Sequence, residues 1–245
     1  MSNATNENKI KPIRQAVLMA AGLGKRLRPL TDDRPKPMIA VGGRPILEWT
    51  IDALPESIEE VLIVVGYFKE KISEHFGEQW GGRRIKYVEQ LELKGTGHVV
   101  HIAAPHLDER FMILNGDDLY QRADLEQLTH HPLSILGLRV ESNGRFGLLS
   151  VGADGCLSGA SDDKPQGTSG IINIGAYVLD RDFLNYDLVP IGDGSEFGLP
   201  QTIGVMALDR QVHIVEATAW LPIGFPEDIE KAEVWLQQYR QPAQA

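Results

Sequence analysis

The chain has a single cysteine, Cys156, in 245 residues. No internal disulfide framework can form, and a reducing compartment suits such a chain. Cys156 follows the turn-like Asp154-Gly155 and reads as structural or incidental. No apolar run approaches the roughly 18 residues of a membrane span. The polar opening, residues 1–14, lacks the apolar core of a signal peptide. A cytoplasmic protein away from membranes is expected, with residues 1–13 a flexible lead-in. Cations are in deficit: 24 Lys and Arg face 34 Asp and Glu, for a net charge of −10. Without a basic face to release phosphate counterions, nucleic acid is excluded as a general partner. Internal repeats and low-complexity blocks are also missing.

Hydrophobic content of 42% and charged content of 24% are ordinary for a globular chain. The length suffices for a sizeable core. The sequence is read as one domain over 14–240, in two halves at about 14–130 and about 131–240. Oligomeric state is left open, a homo-oligomer included.

What is present concentrates in residues 15–43. The flat apolar run 16–21 is that of a strand buried on both faces. It stops in Gly22-Leu23-Gly24, where glycines allow a positive φ and close approach of a ligand to backbone amides. Lys25, Arg26 and Arg28 follow, and then Lys36, stiffened between Pro35 and Pro37. Together they form an island of positive charge in an acidic molecule, suited to a small polyphosphate. Two familiar phosphate loops are missing. There is no Gly-Lys-Ser/Thr ending, and Leu27 stands where the dinucleotide fingerprint has its third glycine.

Downstream, Ile46, Leu47, Ile51 and Leu54 give helical spacing over 45–54, followed by an apolar strand at 61–65 and a helix at 68–76. A strand is read at 84–89, a helix from Gly95 to about 105, and a strand at 111–114. This alternation predicts an α/β fold: a Rossmann-like, mostly parallel mixed sheet flanked by helices. Ligands in such sheets lie beyond the carboxyl ends of the strands. One such end carries Gly95 and Thr96 at a helix start; another carries Asn115-Gly116-Asp117-Asp118, hard oxygen donors of the kind Mg²⁺ prefers. Short runs at 134–140, 146–151 and 156–160, punctuated by Asn143-Gly144 and Asp154-Gly155, carry hairpin signals. They predict antiparallel strands added to the sheet edge, a subdomain with room for a second substrate. A strand through 171–180, a helix at 201–208, a strand at 212–216 and a final helix at 226–239 complete the reading.

The run AAGLGKRLRPLT…PKPMIAVGGRPILEW resembles the signature of the sugar-nucleotidyltransferase (nucleoside-diphosphate-sugar pyrophosphorylase) family, and the likeness extends with gaps over nearly the whole chain. It implies a catalytic loop arginine at Arg26, a triphosphate-binding lysine at Lys36 and a sugar-phosphate lysine at Lys164. Ala20, Ala21, Gly22, Leu23, Gly24 and Lys25 would form the nucleotide loop. Gln90 would read the pyrimidine edge, with Gly95 and Thr96 continuing the base contact; an amide both donates and accepts, as the uracil or thymine edge requires. Asp117 would hold Mg²⁺, with Asp118 a helper or a solvated neighbour. Asp163, Asn173, Gly175 and Glu196 would line the sugar pocket.

The likeness has departures. Asp163 stands where a glutamate is usual, and Phe197-Gly198-Leu199-Pro200 replaces a threonine ending. Pro222 occupies the position of the second metal carboxylate. The implied reaction transfers a nucleoside monophosphate, UMP or dTMP, from a nucleoside triphosphate to a sugar 1-phosphate and releases pyrophosphate. The alternatives are a cytidylyl- or guanylyltransferase, including one acting on a non-sugar phosphate such as phosphocholine, and a nucleotide-sugar-binding regulatory homologue without turnover, the last motivated by Pro222.

Overall fold

The computed structural model describes residues 11–161 and 166–239, without the side chains of residues 142 and 143. Its elements are β1 (Gln15–Met19), α1 (Ile46–Ala53), β2 (Glu60–Val65), α2 (Lys69–Phe76), β3 (Gln79–Trp80), β4 (Arg83–Glu89), α3 (Gly95–Ala103) and β5 (Arg110–Asn115). Then follow β6 (Asp118–Tyr120), α4 (Arg122–Thr129), β7 (Ser134–Asn143), β8 (Leu148–Val151), β9 (Leu157–Ala160) and β10 (Thr168–Asp180). The chain continues through α5 (Leu199–Met206), β11 (His213–Glu216), β12 (Trp220–Pro222) and α6 (Glu227–Tyr239).

A ten-stranded sheet runs β9-β8-β10-β5-β1-β2-β4-β3, with β7 also on β10 and β11 on β7. β1 is parallel to both β2 and β5, and β2 is parallel to β4. β10 then turns the sheet antiparallel by pairing with β5, β7 and β8. The mixed, mostly parallel centre with an antiparallel extension is the architecture the sequence implied.

The flat apolar runs of β1, β2 and β5 have a physical reason. Successive side chains point to opposite faces, and both faces are covered. Ala16, Leu18, Val61, Ile63, Met112 and Leu114 join one core layer with α1, α2 and α4. Val17, Leu62, Val64, Phe111 and Ile113 join the other, with α3 and α5. A third cluster, including Leu27, Ile39, Leu119, Ile223 and Leu236, anchors the glycine-loop segment after β1 against α6.

Several details differ from the sequence reading. The first strand ends at Met19, two residues short of the apolar run. Asn143-Gly144 does not join two paired strands, because both β7 and β8 pair with the long β10 instead. Asp154-Gly155 does close the hairpin between β8 and β9. The helix expected at 201–208 begins at Leu199, since proline fits the first helical turn. α4 and β6 carried too weak a pattern to be read at all. No helix among the described residues is long and apolar enough to cross a membrane.

Candidate active site

A cavity of about 890 Å³ opens beyond the carboxyl ends of the central strands. Its wall gathers Ala21, Gly22, Leu23, Gly24, Lys25, Arg26, Lys36, Gln90, Gly95, Thr96, Asp117, Asn173, Gly175 and Glu196. These come from stretches far apart in the sequence, and the parallel sheet brings their ends to one crevice.

The loop after β1 enters a short 3-10 helix, Lys25–Leu27, from Gly24 at φ 60°. A Cβ on Gly24 would lie 2.9 Å from the Thr31 methyl and 3.0 Å from Lys36 Cβ, so glycine lets the loop close against the lysine segment. Thr31 Oγ1 donates to the Gly24 carbonyl at 3.0 Å and ties the turn. Leu27, 1% exposed, plugs the loop into the third core cluster. Space over Gly22 is open within 4 Å of where a Cβ would stand, leaving room for a ligand. Ala20 is buried and its N–H donates to Val64 O at 2.9 Å, so it supports the loop from the core.

Lys36 starts a second 3-10 turn, Lys36–Met38, and its Nζ lies 2.7 Å from Asp117 Oδ2. The expected triphosphate lysine and the expected metal carboxylate are therefore direct neighbours. Asp118 is no solvated neighbour: it is 4% exposed and accepts from Asn115 Nδ2 at 3.0 Å. Burial, with the negative charge of Asp117 adding to it, pushes its carboxyl up to about 6, against the opposing pull of Lys36, Asn115 and the Ile223 amide. Sequence alone missed this burial because Asp118 is covered by β12, which arrives from the far end of the chain.

Gln90 is buried, and its Nε2 donates to Gly95 O at 3.3 Å, which fixes the amide orientation at the cavity wall. Gly95 has φ 83°. Thr96 Oγ1 accepts from Leu199 N at 3.1 Å, so the expected base-contact threonine also holds the start of α5. Phe197 N donates to Lys94 O at 2.9 Å. The segment carrying Glu196 is thereby clamped onto the loop that leads into α3.

On β10, Asn173 Oδ1 accepts from Gly175 N at 3.2 Å, and its Nδ2 donates to Tyr177 Oη at 2.8 Å. It is neither solvent-facing nor idle, because it shapes the register shift of β10 between Asn173 and Tyr177. Gly175, φ 75°, occupies that irregular turn, where a Cβ would fall 2.2 Å from Asn115 Nδ2. Asp163 and Lys164 lie outside the described residues.

The wall also holds residues the sequence reading passed over: Arg145, Phe146, Gly147, Tyr177, Gln201 and Trp220. A lone cation such as Arg145 carries no pattern by which it could be found. Arg26 stacks with its Cζ 5.1 Å from the Phe225 ring centroid. Asp117 and Asp118 offer hard oxygens suited to Mg²⁺, which binds through one or two carboxylates plus substrate phosphates. Pro222 offers none, and no group of three or more His, Cys, Asp or Glu able to hold a metal occurs among the described residues.

The nucleotidyl transferase family profile matches residues 15–238. The UTP–glucose-1-phosphate uridylyltransferase AglF of Haloferax volcanii is 31% identical over 91% of this chain and 97% of that protein. The bifunctional protein GlmU of Methanocaldococcus jannaschii is 30% identical over 90% of this chain. The chain spans 54% of that relative's length. A UDP-glucose pyrophosphorylase from Acinetobacter baumanii superposes with a TM-score of 0.80, at 20% identity, over 94% of this chain and 95% of that one, a likeness of fold. With a family match from β1 to the last helix and a crevice lined by the loop, lysine and aspartate of the signature, the chain belongs to the nucleotidyl transferase family.

Proposed function

We propose that the chain transfers UMP or dTMP from a nucleoside triphosphate to a sugar 1-phosphate, releasing pyrophosphate. The observation that carries this reading is the meeting, in one cavity, of Arg26, Lys36 and Asp117 from one half with Asn173, Gly175 and Glu196 from the other. The likeness to AglF, named for UTP and glucose 1-phosphate, supports it.

An acceptor phosphate is already largely ionised near neutral pH, so attack on the α-phosphorus needs no protein nucleophile. The chain's task is positioning and charge neutralisation. The loop amides and Arg26 hold the departing pyrophosphate. Lys36 holds the triphosphate and Lys164 the attacking phosphate. Gln90 presents its amide to the base, and Asn173, Gly175 and Glu196 frame the sugar. Mg²⁺ on Asp117, with Asp118 beside it, would supply further neutralisation of the phosphates when bound.

The test is a panel of the common nucleoside triphosphates against several sugar 1-phosphates and phosphocholine, read by pyrophosphate release. Turnover with UTP or dTTP and a sugar 1-phosphate is the expected result. Turnover confined to CTP or GTP would reassign the base. One specific observation favours a second reading: position 222, opposite Asp118 in the β6–β12 ladder, is a proline. A binding protein without turnover would saturate with nucleotide yet release no pyrophosphate in any pairing.

A further inference from the structure

The arginine of the glycine loop meets a residue from the far end of the chain. Arg26 is exposed at the cavity wall. Among the described residues its guanidinium has no carboxylate within ion-pair distance. Its Cζ lies instead 5.1 Å from the centroid of the Phe225 ring, within cation–π range. Phe225 stands between β12 and α6.

That ring is fixed from several sides. Phe225 N donates to Asp228 Oδ2 at 3.0 Å, and Asp228 N donates back to Phe225 O at 3.0 Å. Reciprocal bonds of this kind close the start of a helix, so the Phe225 peptide is tied to α6. Asp228 Oδ2 also accepts from Gly224 N at 2.9 Å and pairs with Arg145 Nη2 at 3.4 Å. The paired Arg145 in turn lies with its Cζ 4.7 Å from the Phe225 centroid and braces the ring. A Cβ at Gly224 would collide with Arg145 Nη2, so glycine there admits the brace.

Packing sets the other partner. Leu27, which follows Arg26, and Ile223, two residues before Phe225, belong to one core cluster and are 1% and 0% exposed. Both backbones are thus anchored in the same core, and the separation of the Arg26 and Phe225 stems is set before any ligand arrives. An exposed arginine has much rotamer freedom to lose when it grips a ligand. A ring that already restricts the guanidinium removes part of that loss. It also leaves the in-plane N–H edge for the paired oxygens of a phosphate.

We propose that Phe225 is a positioning residue for Arg26. It holds the guanidinium ready for the outer phosphates of the triphosphate, those that leave as pyrophosphate, and Asp228 and Arg145 hold the ring. This inference rests on the reaction proposed above, which gives Arg26 its phosphates.

The experiment titrates the full chain with the common nucleoside triphosphates and Mg²⁺, without acceptor, and reads Kd by calorimetry for the triphosphate that binds tightest. Phe225→Leu is expected to weaken binding about three- to fivefold, the weight of one exposed cation–π contact. Phe225→Tyr, which restores an aromatic face, is expected to recover most of that loss. In an Arg26→Met background, Phe225→Leu is expected to change Kd by less than about 1.5-fold, because the group it positions is gone. Thermal melts of the same samples check folding, and Phe225→Met replaces Phe225→Leu if the latter does not fold. A ring with a merely structural role would weaken binding equally in both backgrounds, overturning the assignment. An unchanged Kd for Phe225→Leu, or no recovery with tyrosine, would overturn it too. If no triphosphate bound the wild-type chain, the proposed reaction itself would fall and take this inference with it.

Discussion

Asp118 and Pro222 face each other directly across the antiparallel ladder of β6 and β12. Side chains opposite one another in such a ladder project to the same face, with Cβ atoms about 5 Å apart. A carboxylate thus stands beside the position where the family signature has one and this chain has a proline. Pro222→Asp would crowd a third carboxylate against Asp117 and Asp118. Without a cation the like charges repel, and with Mg²⁺ they become ligands. The variant is therefore expected to melt at lower temperature than wild type in EDTA, and to need several-fold less Mg²⁺ for half-maximal turnover. Asp118→Asn is expected to need more. Melts that respond identically to EDTA and Mg²⁺ in all three proteins would remove the metal from this corner of the cavity.

The 2.7 Å pair between Lys36 and Asp117 makes a second prediction. Both side chains line the cavity, at 13% and 25% exposure, so the cost of desolvating the two charges offsets most of their attraction and the pair adds only about 1 kcal/mol to stability. In the proposed reaction its value lies in aiming an ammonium at the triphosphate. Lys36→Ala is expected to lower kcat by a factor of about 10² to 10³, as for other lost electrostatic groups. The melting temperature should fall by no more than about 4 °C for a chain of this size. Unchanged turnover in a folded variant would show that the lysine merely decorates the wall.

Gly95 offers a test of how the two halves are joined. At φ 83°, an added Cβ would lie 2.5 Å from Phe197 O and 2.7 Å from Phe197 N, backbone atoms that cannot rotate aside. Gly95→Ala combines left-handed strain with overpacking and is expected to cost about 2–4 kcal/mol in urea unfolding. Because it pushes the Glu196 segment off the base-side loop, KM should rise for both substrates. A rise for the triphosphate alone would mean that the clamp does not reach the sugar side.

These relationships divide what was legible in the sequence from what was not. β1, β2 and β5 were readable because burial on both faces leaves an unbroken apolar run, a local signal. The Gly22–Lys36 stretch was readable because glycines, cations and prolines that act together also lie together. Asp118 stayed open between helper and solvated neighbour because its cover, Trp220–Pro222, lies far along the chain. Arg145 went unnoticed for the same reason, since the ring and carboxylate that orient it, Phe225 and Asp228, belong to the last helix and its approach. Asn143-Gly144 carried a hairpin signal that the pairing capacity of β10 overrode. Ala20 sat in the signature run, yet its amide was already engaged by Val64.

Asp228 gives the approach to α6 a defined response to acid. Its side chain is 4% exposed. Burial raises its carboxyl, but the amides of Gly224 and Phe225, together with Lys231 and Arg145, more than offset this and hold it below the ordinary value of 3.8. A native pKa below the unfolded one means that the stabilisation is complete above about pH 4. It is lost as pH falls through the lowered native value, where the folded carboxylate is finally protonated. Asp228→Asn keeps one acceptor but cannot answer two cations and two amides. It is expected to be less stable than wild type by about 3 kcal/mol at neutral pH. Urea unfolding of both proteins from pH 8 to pH 3 should show this gap steady down to about pH 4 and narrowing below it, because protonation then gives wild type the same neutral group as the variant. A gap that stayed constant across the whole range would mean that Asp228 acts through shape and not through charge, and that the seat of Phe225 is held by packing alone.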